Sequence, residues 1–189
     1  MKPSRLAPGE TAPAFAATDL ERRLLRLEDF RGQTLLLSFF RYASCPLCNL
    51  RVQELIREYD RLTFNGLQVL AVFQSPAERI AHYVGRQMPP FAIIPDPKLK
   101  LYRAYGVESS WSGFFRTWTL GLPKVVQAVL GKGFLPGSVE GDLNRIPADF
   151  VIGPLGELFD VYYGQDIGDH MPLSRVMEGL AKTASYQTP

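Results

Sequence analysis

The sequence predicts an α/β sandwich built on a mixed central β-sheet, and three observations carry that prediction. A continuous apolar run, Leu35-Leu36-Leu37-Ser38-Phe39-Phe40, suits a central strand covered on both faces. An amphipathic helix follows, with Val52, Leu55, Ile56, Tyr59 and Leu62 on one stripe and Arg51, Glu54, Glu58 and Arg61 opposite. Near the C-terminal end, two apolar runs flank the turn Gly153-Pro154-Leu155-Gly156, which reads as an antiparallel hairpin. The element order is β-α-β-α-(β-α)-insertion-β-β-α. It makes the first part parallel through right-handed crossovers and the hairpin antiparallel.

In chain order, residues 7–34 hold short apolar pieces among turn formers and read as a small hairpin or wrapping arm closed by Gly32. The long helix stops at Asn65-Gly66, and residues 67–73 form a second buried strand. Ser75-Pro76-Ala77-Glu78 predicts a helix start, with Ser75 as cap, Pro76 in the first turn and Glu78 closing a capping box. This helix runs to about Arg86, and Met88-Pro89-Pro90 breaks it. Residues 91–94 form a short strand, and residues 99–105 a short helix ended by Gly106.

Residues 108–143 read as an insertion rich in aromatics, with Trp111, Phe114, Phe115, Trp118 and Phe134 and one helical segment at 125–130. The aromatic cluster is expected to be buried packing, with a lid or a homodimer contact as its other uses. Residues 150–152 and 157–163 form the hairpin, and a last helix starts near Pro172 and continues through Leu180.

Length and charge bound the function classes. At 189 residues, residues 1–189 suit one domain with a full core. Lys and Arg number 21 against 19 Asp and Glu, a net charge of +2, so no nucleic-acid-binding surface is expected. No apolar run reaches membrane-span length, and the opening MKPSRLAPGE has no apolar signal core. The expected location is the cytoplasm, without membrane or nucleic-acid partners.

The chemistry is concentrated in Cys45-Pro46-Leu47-Cys48, directly after the first core strand and at the opening of the long helix. A thiolate in the first turn of a helix faces unpaired amides and the positive end of the helix dipole, so its pKa falls. A step of three residues lets Cys48 reach back to Cys45 and close a disulfide with little backbone movement. Cys45 is expected to be the more exposed attacking thiol and Cys48 the resolving one. Arg41 and Arg51 supply nearby positive charge. Zinc would need further soft ligands; His82 and His170 lie 88 residues apart in no zinc-site spacing, so no metal and no cofactor is expected. His82 reads as a surface residue, and the Asp166 to His170 stretch as a turn whose carboxylates satisfy its own amides.

Several segments together resemble the thioredoxin-fold family of peroxiredoxin-like proteins related to alkyl hydroperoxide reductase and thiol-specific antioxidant proteins. Gly9-Glu10-Thr11-Ala12-Pro13-Ala14-Phe15 resembles that family's N-terminal G-x-x-A-P-x-F, and Leu27-Glu28-Asp29-Phe30-Arg31-Gly32 resembles its L-x-D-F-R-G. Phe39-Phe40-Arg41 with Cys45-Pro46-Leu47-Cys48-Asn49 is similar to the F-x-R…C-P-x-C-N of a subgroup that includes relatives of bacterial selenoprotein L. Asp96-Pro97 with Tyr102-Arg103-Ala104-Tyr105-Gly106-Val107 resembles the subgroup's D-P…Y-x-x-Y-G-V. Residues 147–152 and 163–170 resemble its C-terminal pattern; the likeness spans about residues 7–180 and is thin over 108–143.

The resemblance implies a thioredoxin-like three-layer sandwich and a thiol oxidoreductase in which Cys45 attacks a small peroxide or a disulfide. A thioredoxin- or glutathione-type donor would then reduce the Cys45–Cys48 disulfide. It also implies a cis-proline at Pro147, opposite the cysteines and shaping the substrate groove. Typical members carry Pro and Thr seven and three residues before the attacking cysteine, where this chain has Ser38 and Tyr42. Their later arginine is replaced by Pro147, which leaves Arg41 and Arg145 as the candidates for its place. A different class of function also fits the residues: a redox-switched binding module, in which the cysteine pair controls docking through the 108–143 insertion.

Overall fold

The structure is a computed structural model that describes residues 4–120, 127–134 and 137–186, with the side chains of 116–120, 128 and 181–186 left out of the description. Strands β1 (Ala16–Thr18) and β2 (Leu24–Arg26) pair antiparallel as the expected N-terminal hairpin. The main sheet contains β3 (Thr34–Phe39), β4 (Leu67–Phe73), β5 (Ala92–Pro95), β6 (Ala148–Ile152) and β7 (Leu158–Tyr163), in the order β5-β4-β3-β6-β7. Strands β3, β4 and β5 are parallel, and β6 and β7 run against them. This is the mixed sheet predicted from the apolar runs.

The alternation of β3 sorts the core into two layers. Leu36 and Phe40 face a cluster with Val52, Leu55 and Leu62 of α1 (Pro46–Phe64) and Val176 of α5 (Leu173–Tyr186). Leu35, Leu37 and Phe39 face Leu101 and Tyr102 of α3 (Lys100–Ala104), with Leu25 of the N-terminal hairpin packed beside them. Each buried Leu or Phe contributes roughly 1.5–3 kcal/mol by leaving water, which is why the central strand tolerates no exposed position. Helix α2 (Ala77–Tyr83) lies with α1 on the first face through Ile80.

The Tyr102 hydroxyl donates to the carbonyls of Phe40 (2.7 Å) and Val72 (3.0 Å). It thereby ties off the C-terminal ends of the two central parallel strands, where the loop carrying the cysteines begins. Among the described residues no helix is long and apolar enough to cross a membrane.

Four local expectations need correction. Helix α2 has Pro76 as its cap, in extended conformation, and no capping box forms. The Ser75 hydroxyl is instead committed elsewhere: it accepts from the Ala43 amide at 2.8 Å and donates to Glu140 at 2.9 Å. The same helix ends at Tyr83, short of Arg86, and a separate 3-10 turn (Gly85–Gln87) follows it.

In the insertion, α4 (Trp111–Leu120) is well formed, but Trp111 is 60% and Phe115 62% exposed. Of its described side, Phe114 packs on the core, and Gly113 sits so close to Ile146 that an added Cβ would lie 2.6 Å from Ile146 Cδ1. The expected helical segment at 125–130 is described only from Gln127, as a π-helical turn (Gln127–Gly131); Val125 and the burial of Trp118 lie outside the described residues.

The fourth concerns Pro147. Among the described residues there is no cis peptide bond. The chain leaves an antiparallel bridge between Ser109 and Arg145 and runs straight into β6. Ile146 donates to the Glu108 carbonyl at 3.2 Å, and the Pro147 carbonyl accepts from Gly164 at 2.9 Å, so both neighbours are held in an extended path.

Candidate active site

Cys45 is the N-cap of α1, with extended dihedrals and Pro46 in the first helical position. The cap is built by local bonds. The Cys45 amide donates to the Tyr42 carbonyl at 3.1 Å, and its own carbonyl accepts from the Asn49 amide at 3.0 Å. The Asn49 side chain donates to the carbonyls of Ala43 (2.7 Å) and Cys45 (3.0 Å) and accepts from Gln87 at 2.8 Å. The turn holding Cys45 is therefore fixed from the helix side.

Both cysteines are free and buried. Cys45 is 1% exposed, so the expected difference in exposure between the two thiols is absent. The two are distinguished by electrostatics. Burial pushes the Cys45 thiol up, but a hydrogen bond from Cys48, the Arg41 charge and the backbone amides of Cys48 and Leu47 bring it down to about 6. Cys48 is held well above the usual thiol range by burial, by its hydrogen bond to Cys45 and by the charge there. The two shifts favour charge on Cys45 and the proton on Cys48.

Arg41 organises the charge. Its Nη1 donates to Cys45 Sγ at 3.3 Å, its Nη2 donates to the Leu143 carbonyl, and its guanidinium carbon stands 4.9 Å from the centroid of the Tyr42 ring. Its Nε is buried and has no hydrogen-bond partner among the described residues. Burial raises the Tyr42 hydroxyl to about 12, so Tyr42 stays neutral at working pH.

Arg145 is placed differently. It donates to the Val107 carbonyl at 3.0 Å and to Gln74 Oε1 at 3.3 Å, pairs with Asp142, and lies over the Tyr102 ring. None of these bonds goes to a cysteine. Of the residues singled out in the sequence, the structure brings together Arg41, Tyr42, Cys45 and Cys48, with Arg145 and Pro147 supporting the chain that leads into β6.

The site roles of two groups of residues escaped the sequence reading, although Ser75 and His170 were read there in other roles. The first is Gln74 and Ser75, the buried polar pair ending β4. Together with Glu140 they join the Cys45 loop to residues 140–145, at the end of the insertion. The only signal for them is their place, polar residues directly after an apolar parallel strand, where sites in α/β sheets gather.

The second is a buried pair, His170 Nδ1 at 3.0 Å from Asp149 Oδ2, with the Met171 amide donating to the same carboxylate at 2.8 Å. Burial raises Asp149, but the His170 contact, the Arg51 charge and Ser38 outweigh it and hold the carboxylate below its ordinary value. The neighbouring turn behaves as expected, with Asp166 accepting from Gly168 and Asp169 from Gln165. His82 lies on the exposed side of α2.

The AhpC/TSA family pattern matches residues 8–160. A candidate peroxiredoxin of Mycobacterium tuberculosis is 30% identical over 157 residues, covering 83% of this chain and 93% of its own length. Among solved structures, the crystal structure of the peroxidoxin BcpB from Mycobacterium tuberculosis is similar with a TM-score of 0.67. It shares 13% identity and covers 97% of this chain and 100% of its own. The solution structure of a candidate thioredoxin from Neisseria meningitidis is similar with a TM-score of 0.64 at 21% identity, covering 95% and 93%. These structural likenesses show the thioredoxin-like fold that the sequence predicts.

Proposed function

Because the chain belongs to the AhpC/TSA family, we propose that it is a thiol peroxidase whose attacking group is the Cys45 thiolate and whose resolving group is Cys48. The observation that carries this reading is the Arg41 guanidinium on Cys45 Sγ, which supports a thiolate near neutral pH in a water-poor site.

In the proposed cycle, Cys45 Sγ forms a bond to one peroxide oxygen as the O–O bond breaks. The other oxygen leaves as an alkoxide or hydroxide and takes up a proton, and Cys45 becomes a sulfenic acid. The Arg41 Nε–H, buried and without a partner among the described residues, would hold a peroxide oxygen, in the role that Thr has in typical members, whose position here is Tyr42. Cys48 then attacks the sulfenic sulfur, releasing water and leaving the Cys45–Cys48 disulfide. Loss of the negative charge at Cys45 removes one of the causes that hold Cys48 protonated, so Cys48 becomes a better nucleophile once it is needed. Two electrons from a dithiol or two monothiols, of thioredoxin or glutathione type, regenerate the pair. The cycle as proposed requires no metal or organic cofactor.

The test is the second-order rate of the reduced protein with hydrogen peroxide and with an alkyl hydroperoxide, with intact mass as readout. A rate far above that of a free thiol, lost in Cys45→Ser and leaving a sulfenate in Cys48→Ser, supports the reading. A rate no better than a free thiol moves the same cysteine cycle to disulfide substrates.

A second reading, a redox-switched docking module, is favoured by the exposed Trp111 and Phe115 on α4. Equal self-association and partner association of reduced and oxidised protein would remove it.

A further inference from the structure

Residues 137–145 cross directly over the Cys45 loop, and the contacts that hold them there are side-chain bonds, with a single backbone bridge at the far end between Ser109 and Arg145. The Ser138 carbonyl accepts from Ser44 Oγ at 2.7 Å and the Leu143 carbonyl accepts from Arg41, so the strap is bonded at two points to the loop that leads into Cys45. Gln74 Nε2 donates to the carbonyls of Glu140 (3.0 Å) and Asp142 (2.9 Å). Glycines permit the close approach. At Gly141, with φ +76, a Cβ would lie 2.9 Å from Gln74 Cδ, and at Gly137 a Cβ would run into the Tyr83 hydroxyl.

One side chain closes this strap onto the body of the protein. Glu140 accepts from Arg79 Nε of α2 at 2.8 Å through Oε1 and from Ser75 Oγ at 2.9 Å through Oε2. Ser75 in turn holds the Ala43 amide, two residues from Cys45. Ser138 Oγ donates to the same carboxylate at 2.8 Å. The outer side of the strap is solvent-facing at Val139 and Leu143, so little buried apolar surface holds it down. Cys45 is 1% exposed, and the strap is bonded to Arg41 and Ser44 beside it.

We propose that Glu140 is a specificity-determining latch: its bonds to Arg79 and Ser75 hold the 137–145 strap closed over Cys45, so that small peroxides reach the thiolate and bulky ones are excluded. Small molecules need only local breathing of the strap, whereas bulky ones need the latch to release. The proposal rests on the reading of Cys45 as the attacking thiolate and adds what limits its substrates. Glu140 acts through the strap and is a positioning residue; it touches neither cysteine.

The experiment is alkylation of reduced protein in the Cys48→Ser background by two reagents, iodoacetamide and a bulky fluorophore-linked maleimide, across pH 5 to 9. In Glu140→Gln the maleimide rate is expected to rise about tenfold, the scale of one charge-assisted hydrogen bond, with the iodoacetamide rate within about twofold of the parent. Arg79→Gln breaks the same ion pair from α2 and is expected to give the same selective rise, with the folded spectrum of the parent retained. The midpoint of the pH profile is expected to stay with the parent, since Arg41 keeps its contact to Sγ.

An unchanged ratio of the two rates in both variants, on a Cys45 that reacts, overturns the latch and leaves the thiolate intact. A rise of both rates together with a shifted midpoint also overturns it, because that is general loosening of the site. A Cys45 inert to both reagents in every protein overturns the thiolate reading and the latch with it.

Discussion

The Arg41 guanidinium donates to Cys45 Sγ at 3.3 Å, four residues away in sequence and buried with it. A buried cation against a buried thiol is stable only when the thiol carries charge, because each ion would otherwise be desolvated without a partner. The pair therefore defines the reduced state as thiolate and guanidinium. Replacing Arg41 with Met should move the midpoint of the Cys45 reactivity profile up from about 6 toward the ordinary thiol range. At pH 7 the rate should fall about tenfold or more, and most of it should return by pH 9. Iodoacetamide kinetics against pH measure this directly.

Cys48 lowers Cys45 by donating a hydrogen bond to it. Cys48→Ala should raise the Cys45 midpoint, and Cys48→Ser, which keeps a donor, should raise it less. Thiolate absorbance near 240 nm, titrated in each variant, separates the two cases.

The same shift links stability to pH. Cys45 ionises more easily folded than unfolded, so its contribution is present above the unfolded thiol value and is lost as pH falls through about 6. Cys48 shifts the opposite way, and its contribution is lost as pH rises past the ordinary thiol range. The melting temperature of the reduced protein relative to Cys45→Ser should therefore climb between about pH 6 and pH 8.5. A flat difference across that window would contradict the assignment.

Asp149 and His170 form a buried polar pair beneath the first turn of α5. His170→Ala leaves the carboxylate short of a partner and should cost about 2–4 kcal/mol in urea unfolding at neutral pH. Asp149 is held below its ordinary value, so its contribution is present above about pH 4 and fades as pH falls below that. The deficit of Asp149→Asn should shrink correspondingly in acid.

Tyr102→Phe removes one hydroxyl that two strand-end carbonyls share. It should cost about 1–2 kcal/mol without changing the Cys45 pH profile, since the hydroxyl bonds the frame behind the loop. Urea unfolding and the alkylation profile check the two halves of that statement.

The elements were legible in the sequence wherever local pattern and burial agree. The run 35–40 suited a strand covered on both faces, realised as Thr34–Phe39, and the stripe from Val52 to Leu62 read as a helix with one apolar side. The cysteine pair was legible for the same reason: its chemistry follows from the first turn of a helix, a local structure that the sequence states. Arg41 was legible as a candidate, but its rivalry with Arg145 was not resolvable, because side-chain direction in a loop depends on what packs over it.

Tertiary structure alone decided the rest. Ser75 looked like a helix cap, but its hydroxyl oxygen accepts from the Ala43 amide while its proton goes to a distant carboxylate, Glu140. Cys45 looked exposed and is buried, in a loop whose Arg41 and Ser44 bond to residues about a hundred positions later. Asp149 and His170 meet only when β6 and the approach to α5 pack together. Local propensity and periodicity act over a few residues and can be read along the chain. Hydrogen bonds between groups 60 to 100 residues apart depend on the packed sheet that brings them within 3 Å, and nothing in the linear order encodes which of several eligible partners each polar group will take.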